Sequence, residues 1–154
     1  MEADPVWAAR LQELARREGK GQLRTVHGDF LCWPLPDRPY RVIASPPFGA
    51  TTAILRRLLD SPGRSLLRAD LILQWEVARK RAELPPTTLV STTWAPWWEL
   101  RLGRRVPAAD FRPVPRVDAG VLTITRRQPP LLPVAMAGEY ASFVRRRWPF
   151  VRAG

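Results

Sequence analysis

Lysine is nearly missing from this chain: Lys20 and Lys80 are the only two, against 23 arginines in 154 residues. Cysteine is scarcer still. Cys32 stands alone, which excludes an internal disulfide framework and suits a reducing cytosol, so a cytoplasmic protein is expected. His27 is the single histidine and has no second histidine to work with, so it reads as structural. No apolar stretch approaches the roughly 18 residues of a membrane span. The opening Met1-Glu2-Ala3-Asp4-Pro5 is acidic and lacks the positive start of a signal peptide. A phosphate-cradling glycine loop is also wanting. The only Gly-x-Gly, Gly19-Lys20-Gly21, follows a helical pattern instead of joining a strand to a helix, so it reads as a helix stop.

Positive charge is abundant. The formal net charge is +11, and residues 101–154 carry 11 basic against 3 acidic groups, which is +8 of that total. A GC-rich genome accounts for arginine over lysine but not for clustering toward one end. Arginine offers a planar fork of donors and a permanent charge, which suits phosphate backbones, so the expected partner is a nucleic acid.

Hydrophobic periodicity sets out an α/β chain of about one domain. Asp4-Pro5 looks like an N-cap with proline at the first helical position, followed by Trp7, Leu11 and Leu14 at helical spacing. Strands are predicted at Leu23–Val26, Tyr40–Ala44 and Ala69–Gln74, and later at Trp98–Val106 and Gly120–Arg126. Thr51 or Thr52 can cap a helix carrying Ile54, Leu55, Leu58 and Leu59. Further helices are expected over Glu76–Leu84 and Met136–Arg147. The pattern describes an open sheet with an antiparallel edge, and Pro129–Pro133 reads as a linker.

Ligands of such sheets bind beyond the carboxyl ends of strands. Two segments sit there: Gly28-Asp29-Phe30 and Ser45-Pro46-Pro47-Phe48. The second suits methylation of an exocyclic amino group on a base. That nitrogen is a poor nucleophile because its lone pair is delocalised into the ring. Ser45 and the Pro46 carbonyl can accept its hydrogens, two prolines stiffen the turn, and Phe48 can stack on an extruded base. Transfer from a sulfonium donor then needs in-line alignment, not a metal or a strong base. The plainer reading of Ser-Pro-Pro-Phe is a rigid surface turn, in a chain with 17 prolines. Asp29 can accept a hydrogen bond from an adenine amino group, or it can be an ordinary turn aspartate. Cys32, with no evident base, reads as a core or loop residue.

Five segments, in order, resemble the erythromycin-resistance (Erm-type) rRNA adenine-N6 methyltransferases, relatives of the KsgA-type rRNA adenine dimethyltransferases. They are Glu2-Ala3-Asp4-Pro5, Val26-His27-Gly28-Asp29-Phe30, Val42-Ile43-Ala44-Ser45-Pro46-Pro47-Phe48, Leu71-Ile72-Leu73-Gln74-Trp75-Glu76-Val77-Ala78, and Phe111-Arg112-Pro113-Val114-Pro115-Arg116-Val117-Asp118-Ala119. The resemblance implies a Rossmann-like class I methyltransferase sheet that is incomplete here. Its first strand and glycine-rich loop are absent, and the chain is expected to be cut at both ends. Residues 1–128 would be a partial methyltransferase domain and 129–154 a linker with a remnant of a C-terminal helical domain.

The same resemblance implies S-adenosylmethionine as methyl donor, adenine of 23S rRNA as target, and protection from macrolide-type antibiotics. Glu2 would bind the donor's ribose hydroxyls and Asp29 its adenine, with Phe30 beside that ring. Ser45 would border the donor, and Ser45, Pro46 and Phe48 would hold the target adenine. Arg104, Arg105, Arg112 and Arg116 would contact RNA phosphates. Ser45 stands where the family has asparagine, and serine there is familiar in DNA amino-methyltransferases. Two other readings therefore stand beside the leading one: a catalytically inactive RNA-binding remnant, and a DNA amino-methyltransferase. A third possibility is a chain that does not fold stably, since lost central strands leave an exposed edge. Oligomeric state is left open.

Overall fold

A computed structural model describes residues 1–18 and 23–151, and it divides into two compact units, residues 1–35 and 36–154. The expected helix stop at Gly19-Lys20-Gly21 lies outside the described residues.

The first unit is built on α1 (Pro5–Glu18). Asp4 caps it as expected, its Oδ1 accepting the backbone N–H groups of Val6 at 2.8 Å and Trp7 at 3.1 Å. Such a cap satisfies donors that no helical carbonyl can reach. The apolar stripe foreseen on this helix stays exposed: Trp7 is 56% accessible and Leu14 44%, and only Ala8 is buried. Leu23–Val26 is not a strand. The segment forms a single parallel bridge between Glu2 and His27, held by Glu2 N–H to Val26 O at 3.0 Å and Gly28 N–H to Glu2 O at 2.9 Å. One bridge is too short a ladder to define a strand, however β-prone its residues.

The second unit holds a four-stranded sheet in the order β1-β2-β4-β3, made of β1 (Tyr40–Ala44), β2 (Leu66–Gln74), β3 (Trp98–Val106) and β4 (Ala119–Arg126). β1 runs parallel to β2, while β4 is antiparallel to both β2 and β3, so the expected antiparallel edge is present. Ala69, Leu71 and Leu73 of β2 and Leu122 and Ile124 of β4 are fully buried. The alternating positions carry Arg68 and Asp70, and Asp70 also accepts from Thr123 Oγ1 at 2.7 Å.

Helix α2 (Thr51–Leu59) buries Ile54, Leu55, Leu58 and Leu59, each side chain contributing roughly 1.5–3 kcal/mol by leaving water. Its N-cap is Ala50, not a threonine, because a single 3₁₀ turn, Phe48–Ala50, leads directly into it. Helix α3 (Trp75–Ala82) follows β2 without a loop. The sequence did not announce α4 (Leu89–Trp94), which Thr88 caps by accepting the Ser91 N–H at 3.2 Å. Trp94 Nε1–H then donates to Asp60 Oδ1 at 2.7 Å, and Trp98 Nε1–H to Leu59 O at 3.2 Å, fastening the end of α2. The expected linker is pinned, since Trp97 Nε1–H donates to Leu132 O and Leu131 N–H to Pro96 O. Helix α5 (Ala137–Val151) is the last element among the described residues.

Candidate active site

Strand direction decides which loops can share a site in the second unit. β1 and β2 end at Ala44 and Gln74, and the antiparallel β4 starts opposite Gln74 with Ala119, which also faces Val106 at the end of β3. Three features therefore leave the same end of the sheet: Ser45–Phe48, the start of α3, and the loop between Pro107 and Asp118. The turn after β1 is stiff. Pro47 adopts φ −53° and ψ 134°, and its carbonyl accepts the Ala50 N–H at 2.9 Å. Pro46 is buried and anchors the turn, Ser45 is exposed, and Phe48 is half-buried.

At the same end of the sheet, the Pro107–Asp118 loop is closed by its own chemistry. The Asp118 carboxylate accepts the Ala108 N–H at 2.9 Å and Arg105 Nε–H at 2.8 Å, and the Asp118 carbonyl accepts the Trp75 N–H at 2.9 Å. The Ala108 amide, and then Arg105, hold the Asp118 carboxyl below its ordinary value. Arg105 also lies 5.2 Å over the Trp75 ring. Arg112 donates to the carbonyls of Ala109 at 2.7 Å and Phe111 at 2.8 Å. Arg104 and Arg116 are exposed. The four arginines singled out in the sequence thus share one end of the sheet but differ in engagement. Asp118 and Trp75 are the pair to which sequence reading assigned no role. Their signal was Asp118 in the arginine–proline loop with Gly120 two positions on.

In the first unit, the parallel bridge sets Glu2 beside His27, two residues before Asp29. Glu2 Oε1 accepts the Asp4 N–H at 2.9 Å, and Asp29 Oδ1 accepts the Leu31 N–H at 2.8 Å. Each carboxylate accepts a backbone N–H through one oxygen, and Asp29 accepts the Cys32 thiol through the other. Cys32 Sγ lies 3.9 Å from Asp29 Oδ2, and Phe30 is half-buried. His27 Nε2 is 3.2 Å from Ala3 O, a structural contact.

A cleft of about 270 Å³ between α2, α4 and α5 lies toward the opposite end of the sheet, bordered by Asp60, Pro62 and Trp94. None of the site residues singled out in the sequence lines it. Among the described residues no group of three His, Cys, Asp or Glu side chains could hold a metal ion, and no helix is long and apolar enough to cross a membrane.

The model of the family described as ribosomal RNA adenine dimethylase matches residues 1–149. The chain belongs to this family. It is 42% identical over 94% of its length to the mycinamicin-resistance protein MyrB of Micromonospora griseorubida, covering 45% of that protein. It is 38% identical to an rRNA adenine N-6-methyltransferase of Corynebacterium diphtheriae, covering 94% of this chain and 55% of that protein. The crystal structure of the 23S rRNA methyltransferase ErmE superposes with a TM-score of 0.81 at 30% identity, over 93% of this chain and 57% of that one. The α/β fold with its mixed four-stranded sheet is thus shared with that enzyme, and the chain spans about half the length of the relatives it matches.

Proposed function

We propose that this family member serves N6-methylation of adenine in 23S ribosomal RNA, with S-adenosylmethionine as donor and the cytoplasm as its compartment. The observation that carries the reading is topological: the Ser-Pro-Pro-Phe turn and the arginine–proline loop leave one end of one sheet. A rigid polar turn and an arginine-bearing loop at one end of one sheet suit modification of one base within a polyanion.

Ser45 Oγ and the Pro46 carbonyl accept hydrogen bonds from the adenine amino group and draw its lone pair out of conjugation. Phe48 stacks on the extruded base, and the stiff diproline keeps these groups in register before RNA arrives. The donor, when bound, supplies an electrophilic methyl group on sulfur. Glu2 and Asp29 suit its adenosine part: Glu2 is fixed through Oε1 and offers its other oxygen to a ribose hydroxyl, while Asp29, held by the Leu31 N–H and only weakly by the Cys32 thiol, keeps acceptor capacity for an adenine amino group. Phe30 follows Asp29 in the chain and suits the adenine ring in this reading. A glycine-rich loop for the methionine end is not among these 154 residues. In domain terms, residues 1–128 form the methyltransferase part and 129–154 the linker and a helix of a second domain. Protection from macrolide-type antibiotics follows if the methylated base lies in the drug site.

Calorimetric titration with S-adenosylmethionine, followed by methyl transfer to 23S rRNA fragments and to duplex DNA, tests the reading. One-to-one donor binding with transfer confined to RNA supports it. RNA binding without donor binding, in a cooperatively melting sample, replaces it with an RNA-binding remnant. Equal methylation of DNA replaces it with a DNA amino-methyltransferase.

A further inference from the structure

The loop between Pro107 and Asp118 is fastened by a clasp that depends on two irregularities. On β3 the pairing shifts between Leu102 and Arg105, so two residues, Gly103 and Arg104, face the single Val121 of β4. The extra residue turns Arg105 onto the side of the sheet where Trp75 lies, as bulges commonly re-aim a side chain. Opposite Arg105 stands Gly120, where a β-carbon would come within 2.8 Å of Trp75 Cε3. The missing side chain lets the indole settle against β4 and receive the guanidinium. Asp118 completes the arrangement, accepting from Arg105 and from Ala108 at the loop's start, while its carbonyl takes the Trp75 N–H.

We propose that Asp118 is a positioning residue for RNA, holding the loop so that Arg112 and Arg116 meet backbone phosphates at a preset place on the same end of the sheet as the Ser-Pro-Pro-Phe turn. The proposal rests on reading this loop as an RNA-contacting element. The charge distribution supports it. Asp118 neutralises Arg105, which therefore serves the clasp, while the exposed Arg116 remains available to phosphate. Arg112 is steadied through Nη1 by two loop carbonyls and is exposed, so its other guanidinium donors remain for phosphate. A loop ordered in advance does not lose its conformational freedom on binding, so the clasp raises affinity without touching RNA.

The test compares Asp118→Ala and Asp118→Asn with the wild-type chain, using amide hydrogen exchange and binding to a 23S rRNA stem-loop carrying an unpaired adenine. Asp118→Ala is expected to speed exchange at the Ala108 amide, to weaken RNA binding by about tenfold and to lower its salt dependence, because the loop arginines no longer meet phosphates. Asp118→Asn keeps an oxygen for the Ala108 N–H and is expected to recover most of the protection and part of the affinity. Arg116→Gln should cost affinity in the wild-type chain and far less in the Asp118→Ala background, a coupling that general destabilisation does not produce. Unchanged RNA affinity in Asp118→Ala, or fully additive effects with Arg116→Gln, overturns the positioning role. Unchanged exchange at Ala108 overturns the clasp itself. If the wild-type chain binds no RNA, the functional reading falls and the positioning role with it. The exchange data distinguish that failure from the clasp's, because they need no RNA.

Discussion

Gly120 lies so close beneath Trp75 that a β-carbon there would stand 2.8 Å from Cε3, with Ala78 Cβ 3.5 Å away on the same side. Both neighbours belong to α3, the helix that starts at the functional end of the sheet. The one place where β4 has no side chain is therefore where α3 is seated.

Gly120→Ala is expected to destabilise the chain by about 1–3 kcal/mol, because the indole must move or β4 must bend to admit a methyl group. Urea unfolding followed by circular dichroism measures the loss. A midpoint equal to that of the wild type would mean that Trp75 can shift freely, and the seating argument would be lost.

Phe48→Ala should reduce methyl transfer far more than RNA affinity, since stacking places the base while arginines bind the backbone. Single-turnover rates and equilibrium binding, taken on the same RNA, separate the two. Turnover at the wild-type level would remove Phe48 from the proposed site.

Asp70 predicts a pH dependence. Its hydrogen bonds with Arg68, first among the causes, hold its carboxyl below the ordinary value, and Thr123 adds to them. A carboxyl lowered in the folded state stabilises above its unfolded value and loses that contribution as pH falls through the folded one. Asp118 is lowered in the same direction, by the Ala108 amide and Arg105. Stability should therefore fall as pH drops below about 4, the ordinary aspartate value. The gap between wild type and Asp70→Asn in urea midpoints should narrow over the same range. A gap that does not change with pH would count against the network.

Leu58 is fully buried on α2. Leu58→Ala should cost about 2–5 kcal/mol, the loss of burial plus the cavity left behind. A thermal melt shows this as a large drop in midpoint, whereas a change below 1 kcal/mol on the order of surface substitutions would mean that the core collapses to fill the gap.

Much of the second unit was legible in its sequence. β1 was plain because a short apolar run stops at Ser45-Pro46, and α2 because Ile54, Leu55, Leu58 and Leu59 recur on one face. The Ser-Pro-Pro-Phe turn was legible for the same reason, lying between two clear elements. Helix α4 was hidden because Leu89-Val90-Ser91-Thr92-Thr93-Trp94 is short and rich in weak helix formers. What forms it is the Thr88 cap and burial of Trp94. Leu23–Val26 misled because β-propensity says nothing about whether a partner strand is long enough. The engagement of Arg105 could not be read at all. It depends on a two-against-one step at Gly103 and Arg104, and alternation of residue types does not reveal such a step.

That difference among the arginines leads to the last prediction. A side chain that neutralises a phosphate releases counterions, so its removal should lower both affinity and the slope of log K against log salt, by about 0.7–0.9 per contact. Arg104 and Arg116 are exposed, whereas Arg105 is committed to Asp118 and Trp75. Arg104→Gln and Arg116→Gln should each reduce the slope, and Arg105→Gln should weaken binding while leaving the slope near that of the wild type. Binding titrations at a series of salt concentrations separate these classes. If Arg105→Gln lowers the slope as much as Arg116→Gln does, Arg105 leaves Asp118 to meet phosphate when RNA binds. The clasp would then be a feature of the free chain only.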